Sequence, residues 1–284
     1  MAAKNDIVYL NGRFLPLKEA RISVLDRGFL FGDSVYEVIP AYGGRLFRLD
    51  EHLFRLESSL AQVRIRPPLT HQEWQMILER LLPDERDRSI YLQVTRGVAE
   101  KRDHAMPAQP TPTVFAMSSK LETPYDVHVG VGAITLDDTR WKLCQIKATT
   151  LLANILQRQE ALDRNCAEAI LIRDGMVTEG AASNVFAVID GALVTPPKSR
   201  DLLPGITRDL VLELAQANAI DAREETISAE TLSCADEIWL TSSTREILPV
   251  VELDGKGVGD GVPGPIWHRM HGIYQAYKQS LRLP

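Results

Sequence analysis

Short runs of alternating apolar and polar residues fill most of the chain, and in a few places they lengthen into helical stripes. Ile7 to Leu10 and Arg13 to Leu15 flank Asn11-Gly12, a pair that tolerates positive φ at both positions and so predicts a type I′ hairpin. Ser34 to Tyr42 reads as a strand, closed by Gly43-Gly44 and answered by Arg45 to Arg48. Its side chains alternate, with Tyr36, Val38 and Tyr42 on one face and Val35, Glu37 and Ile39 on the other. Leu49, Leu53, Leu56, Leu60 and Val63 then recur at the spacing of an amphipathic helix, with Asp50 as its expected N-cap. A second helix is predicted over His71 to Leu82, and strands over Ile90 to Thr95 and Thr113 to Met117.

The pattern lapses over Ser118 to Pro124, which predicts a boundary between a domain of residues 1–120 and one of 121–284. Beyond it come a strand at Val127 to Ala133, another at Leu143 to Ile146, and a helix from about Leu151 to Asp163 opened by Thr149 or Thr150. A meander follows, punctuated by Asp174-Gly175 and Asp190-Gly191, both hairpin signals. A helix after Gly205 places Leu210, Val211, Leu214 and Ile220 on one side. A strand at Glu237 to Leu240 precedes a closing helix from Ile266 to Leu281, with Ile266, Met270, Ile273, Tyr277 and Leu281 on one stripe. Hairpins interspersed with helices predict an α/β or α+β fold in two lobes.

Composition narrows the function classes. The 284 residues carry 32 basic and 38 acidic side chains, a net charge of −6, without the basic stripe of a nucleic-acid binder. No window reaches the roughly 18 consecutive apolar residues of a membrane span, and Met1 to Asp6 lacks a signal-peptide core. Cys144, Cys166 and Cys234 are odd in number and lack a metal-type spacing, so reduced thiols in a cytoplasm are expected. Gly259 to Gly264 matches G-x-G-x-x-G, but the helix after it is the last element of these residues, with no following strand or ribose-binding acid. A surface loop is the better reading, and it weakens a nucleotide-binding oxidoreductase. His268 and His271 have no third ligand nearby and read as a solvated or interface pair rather than a metal site.

Two residues draw chemical attention. Lys147, at the end of its expected strand, is placed to project from a rigid element into a cleft; alone, a surface lysine is the plainer reading. Glu179 stands where a strand from Met176 meets Gly180-Ala181-Ala182-Ser183-Asn184, small residues that let a planar group approach the backbone. A solvated strand-end carboxylate is its alternative.

Taken together, the stretches 146–161, 168–186 and 202–211 resemble the fold-type-IV pyridoxal-phosphate enzymes, the class IV aminotransferases. DRGFLFGDSVYEVI (26–39), DEHLFRLESSL (50–60) and TSSTREILPV (241–250) resemble the same family, in unbroken order from Ile7 to the last helix. The resemblance implies a small N-terminal α/β lobe and a larger C-terminal α/β lobe, with pyridoxal 5′-phosphate between them. It also implies a homodimer whose partner chain helps close the substrate pocket. Lys147 resembles the Schiff-base lysine, which also shuttles the proton during catalysis. Glu179 resembles the carboxylate that keeps the pyridine nitrogen protonated. A phosphate cradle is implied at Arg55, at Gly205-Ile206-Thr207 on a helix N-terminus, and at Ser242, Ser243 and Thr244. Leu203 resembles a residue packed on the ring, and Ser183 and Asn184 residues along its edge. Ordinary alternatives stand beside these: an Arg55–Glu51 surface pair, a plain glycine cap, turn hydroxyls, and core packing for Leu203.

Within the family, the stretch 94–107 speaks to the substrate. Arg102-Asp103-His104 resembles the carboxylate trap of the D-amino-acid enzymes, and Tyr36 the tyrosine that completes it; guanidinium, imidazole and phenol all donate to carboxylates. The span before Arg102 is a residue longer than the family pattern, which leaves Arg96 or Lys101 open as the ligand. A solvated charge cluster is the alternative for Arg102 and His104. The expected reaction is transamination between a D-amino acid and a 2-oxo acid. A branched-chain L-aminotransferase, an aminodeoxychorismate lyase and an R-selective amine transaminase are the alternatives on the same fold, and a catalytically silent binding protein is one of another class.

Overall fold

Asn11 and Gly12 carry φ of 47° and 87°, and the strands they join, β1 (Ile7–Leu10) and β2 (Arg13–Pro16), pair antiparallel as expected. The computed structural model describes residues 6–122 and 125–282. The N-terminal Met1 to Asn5, and Thr123 and Pro124 of the expected boundary, lie outside the described residues. Contacts divide the chain into two compact units, one running to Glu122 and taking in Ile146–Thr150, the other holding the stretch up to Gln145 and that from Leu151 onward.

The first unit is built on a six-stranded antiparallel sheet in the order β2-β1-β6-β5-β3-β4. Its further elements are α1 (Arg27–Phe31), β3 (Ser34–Tyr42), β4 (Arg45–Leu46), α2 (Leu49–Gln62), α3 (His71–Arg80), β5 (Arg88–Thr95) and β6 (Thr113–Lys120). Leu53, Leu56 and Leu60 of α2 are almost fully buried, each worth about 1.5–3 kcal/mol on transfer from water. The N-cap of α2 is Arg48 in the left-handed region, not Asp50, which falls inside the first turn. β6 runs on through Ser118–Lys120, part of the expected boundary, because these polar residues still pair with Arg88 to Ile90 of β5.

The second unit carries a mixed nine-stranded sheet, ordered β12-β11-β10-β13-β14-β7-β8-β9 with β15 paired to β14. In chain order its elements are β7 (Val131–Asp137), α4 (Leu152–Asp163), β8 (Glu168–Arg173), β9 (Met176–Gly180), β10 (Asn184–Ile189), β11 (Ala192–Thr195), α5 (Ile206–Ala217), β12 (Ala222–Glu224), α6 (Ala229–Ser233), β13 (Glu237–Ser242), β14 (Glu246–Leu253), β15 (Lys256–Gly257) and α7 (Pro265–Ser280). Asp174-Gly175 and Asp190-Gly191 turn with φ of 52° and 77°, and 50° and 77°.

Four expectations need correction here. The strand read over Val127 to Ala133 begins only at Val131, and α4 starts at Leu152 rather than at Thr149 or Thr150. Residues 143–146 form no strand, and Cys144 and Gln145 make a turn. The buried face of α7 is Trp267, Met270 and Tyr274; Met270 lies on the expected stripe, but Trp267 and Tyr274 are buried in place of Ile266 and Ile273, because Trp267 brings more apolar surface than Ile266. The glycine-rich loop before α7 leads into a helix start that is already filled. Glu237 accepts from the N–H groups of Ile266 (2.9 Å) and Trp267 (2.8 Å), where a dinucleotide phosphate would have to sit.

Candidate active site

Lys147 is placed by backbone hydrogen bonds along β3. β4 covers only the far end of that strand, and the segment 146–150 runs beside its near end. Tyr36 N–H donates to Lys147 O (3.0 Å), Thr149 N–H to Ser34 O (3.1 Å), and Val35 bridges Ala148. Lys147 N–H in turn donates to Ser59 Oγ on α2 (3.2 Å). The lysine therefore stands on a sheet edge rather than at a strand end. Its Nζ lies 4.4 Å from the centroid of the Tyr36 ring.

Beneath that edge is a buried ionic cluster that the sequence reading did not single out. Glu37, fully buried on β3, accepts from Arg55 Nε and Nη2, both at 2.7 Å, and from His52 Nδ1 at 2.8 Å. Burial pushes the Glu37 carboxyl up, but the Arg55 charge and the hydrogen bonds from Arg55 and His52 pull it well below the usual carboxylate range. Burial lowers the pKa of His52 more than Glu37 raises it, and the charges of Arg55 and Lys147 lower it further. Against the alternative of an Arg55–Glu51 surface pair, Arg55 is buried against Glu37, and Glu51 pairs with Arg48. A signal was present: alternation puts Glu37 between Val35 and Ile39 on the apolar face, where a carboxylate needs partners.

Arg102 and His104 lie on an exposed loop of the same unit, both against Phe31. The Arg102 guanidinium is 5.0 Å and the His104 ring 5.3 Å from the Phe31 centroid. Among the described residues no hydrogen bond or ring contact joins either to Tyr36. Arg96, left open as a carboxylate ligand, is buried and already engaged. It grips Asp33 through Nε (2.7 Å) and Nη2 (2.9 Å), and donates to the carbonyls of Val63 and Arg64. Lys101 is exposed and pairs with Asp103 at 3.4 Å.

In the second unit Glu179, at the end of β9, is buried rather than solvated. Its Oε2 accepts from Leu203 N–H (3.0 Å) and Asn184 Nδ2 (3.1 Å), and its Oε1 from Arg140. Arg140 is itself clamped by Asp138 through Nη2 (2.9 Å) and Nε to Oδ1 (2.9 Å). Burial disfavours the Arg140 charge, but its bonds to Asp138 and the charge of Glu179 outweigh this and raise its pKa. Sequence reasoning missed Arg140, and no local pattern marks it. Asn184 Nδ2 also donates to Leu203 O (2.9 Å), so Leu203 is tied to Glu179 by both backbone groups. Ser183 is drawn the other way, donating to Glu168 Oε2 at 3.2 Å. Ile206 and Thr207 open α5 behind Gly205, with no side-chain cap hydrogen bond among the described residues. Ser242 ends β13, and Ser243 and Thr244 make the turn to β14. Just before them the buried Thr241 Oγ1 has no hydrogen-bond partner among the described residues.

These donors suit pyridoxal 5′-phosphate by their chemistry. An uncapped helix start, an unsatisfied buried hydroxyl and a run of serine and threonine are phosphate donors. A buried carboxylate bonded to an arginine can face a pyridinium. The model for the class IV amino-transferases matches residues 34–253. The chain belongs to that family. This class IV aminotransferase is 42% identical to the D-alanine aminotransferase of Bacillus licheniformis, over 91% of this chain and 92% of that one. It is 39% identical to the enzyme of the same name from Staphylococcus haemolyticus, over 96% and 98%. Among solved structures, the branched-chain amino acid aminotransferase from Escherichia coli superposes with a TM-score of 0.86 at 29% identity, covering 96% of this chain and 93% of that one. The two-lobed α/β fold expected of the family is the fold this aminotransferase has.

Proposed function

We propose that this aminotransferase exchanges an amino group between a D-amino acid and a 2-oxo acid, using pyridoxal 5′-phosphate. The observation that carries the reading is Lys147, pinned along β3 on both sides with its amine against Tyr36. Bound cofactor supplies the electron sink for breaking the substrate Cα–H bond. Lys147 would hold the cofactor, and its Nζ would take the proton lost from the substrate Cα and give it back. Glu179, bonded by Arg140, Asn184 and the Leu203 N–H, would hold the proton on the pyridine nitrogen. Arg55, Ile206, Thr207, Ser242, Ser243 and Thr244 bind the phosphate, and Leu203 packs on the ring. Tyr36, Arg102 and His104 grip the substrate α-carboxylate.

The D-preference is supported by the relatives named D-alanine aminotransferases and by the loop bearing Arg102 and His104. Lys147 reaches one face of the bound substrate, so the side on which the carboxylate is held decides which enantiomer presents its Cα–H. The branched-chain reading is supported by the likeness to the Escherichia coli structure, at lower identity. Half-reactions followed through the cofactor spectrum separate them: D-alanine and D-glutamate should react faster than L-leucine, and the reverse order refutes the D-reading.

A homodimer is part of the proposal. Val24 and Phe29 on one segment and Val98 and Met106 on another are more than half exposed, and Ala99 N–H to Leu25 O (3.2 Å) ties the two segments together. Exposed apolar side chains gathered this way suit a second copy of the chain that helps close the substrate pocket. Light scattering on the holoenzyme should give twice the chain mass. A cytoplasmic location is supported by three unpaired cysteines; no helix among the described residues is long and apolar enough to cross a membrane.

A further inference from the structure

The loop that bears Arg102 and His104 is exposed, yet it has one deep anchor. Arg27, the first residue of α1, is buried and reaches the loop from below. Its Nη1 donates to the carbonyls of Asp103 (2.6 Å) and Ala105 (3.2 Å), and its Nη2 to that of His104 (3.3 Å). Its Nε is fixed by Asp33 Oδ2 at 2.8 Å, and Asp33 is in turn held by Arg96. The Arg27 guanidinium also lies 4.8 Å from the centroid of Phe31, the ring that Arg102 and His104 approach. Three successive carbonyls converging on one buried cation fix both the height and the direction of the loop. A lysine offers one ammonium in place of the planar fork and cannot reproduce that geometry.

We propose that Arg27 is a specificity-determining positioning residue, setting where Arg102 and His104 meet the substrate carboxylate. The inference rests on the reading of Arg102 and His104 as the carboxylate trap. Arg27 itself touches no substrate; it acts through the loop backbone. Its loss should therefore weaken the hold on amino-acid substrates while leaving the proton-transfer residues in place.

The test is a single-turnover half-reaction of the holoenzyme with D-alanine, read as an apparent Kd and a limiting rate from the cofactor absorbance. Arg27→Gln should raise the apparent Kd about tenfold or more, with a limiting rate within about threefold of wild type. Arg27→Lys, the gentler change and the fallback if the glutamine variant does not fold, should raise it by a smaller factor. Arg102→Leu should raise it too, and Arg27→Gln added to Arg102→Leu should cost little more, because residues acting as one unit are not additive. A merely structural role would reduce thermal stability or the active fraction without this split. A wild-type Kd in folded Arg27→Gln or Arg27→Lys alongside a raised Kd in Arg102→Leu overturns the inference and spares the trap. Fully additive losses also overturn it. An unchanged Kd in Arg102→Leu removes the trap, and the role of Arg27 with it.

Discussion

Replacing Glu37 by glutamine tests the buried cluster and the phosphate role of Arg55 at once. The carboxylate accepts three hydrogen bonds of 2.7–2.8 Å in a place with no solvent access. The amide keeps the shape, but its NH2 must face a donor of Arg55 or His52, and the guanidinium loses its counter-charge. Leaving one member of a buried ion pair uncompensated costs about 3–5 kcal/mol. At about 2–4 °C per kcal/mol for a large domain, the melting transition should fall by roughly 6–20 °C without cofactor. If Arg55 also binds the cofactor phosphate, that phosphate replaces the lost anion, so the fall should be clearly smaller with saturating pyridoxal phosphate. Inorganic phosphate should give part of the same relief. Thermal unfolding by circular dichroism of wild type and Glu37→Gln, each with and without cofactor, reads all of this. A wild-type midpoint in the cofactor-free variant refutes the energetic argument. An equal fall with and without cofactor refutes the assignment of Arg55 to the phosphate.

Lys147→Ala should abolish transamination and the borohydride-reducible link between protein and cofactor; a reducible link surviving in the variant moves the lysine elsewhere. Glu179→Gln should slow loss of the substrate α-proton much more than it weakens cofactor binding, and unchanged single-turnover rates with α-deuterated and ordinary D-alanine would show that another group serves the pyridine nitrogen. Acidification should destabilise the first unit in two stages. His52 is held below the 6.5 of an ordinary histidine, so the unfolded chain binds its proton first and stability declines as pH falls below about 6.5. Glu37 is held below its ordinary 4.5, so its contribution, complete above that value, is lost as pH falls from there toward its folded pKa. Melting curves of His52→Gln should lack the upper stage, and a curve that keeps it assigns that stage to another group.

The hairpins were legible in the sequence because positive φ at Asn11-Gly12, Asp174-Gly175 and Asp190-Gly191 is a local demand that few residue pairs meet. The leucine face of α2 and the Gly205 start of α5 were legible for the same reason: periodicity and capping are properties of neighbours in the chain. The order of the family motifs likewise singled out Lys147 and Glu179 as candidates without any coordinates. What surrounds those residues was decided by tertiary structure. Residues 143–146 look like a strand by composition, yet they find no partner strand, while 146–150 gains one from β3. Arg55 sits one helical turn from Glu51, but burial turns it to Glu37, 18 residues away, where a low-dielectric site makes the pair obligatory. Arg140 meets Glu179 across 39 residues, and Arg27 meets the 103–105 carbonyls across more than 70. Local rules specify what each short segment prefers, whereas the partner of a buried charge is whichever opposite charge the packed sheet brings within reach.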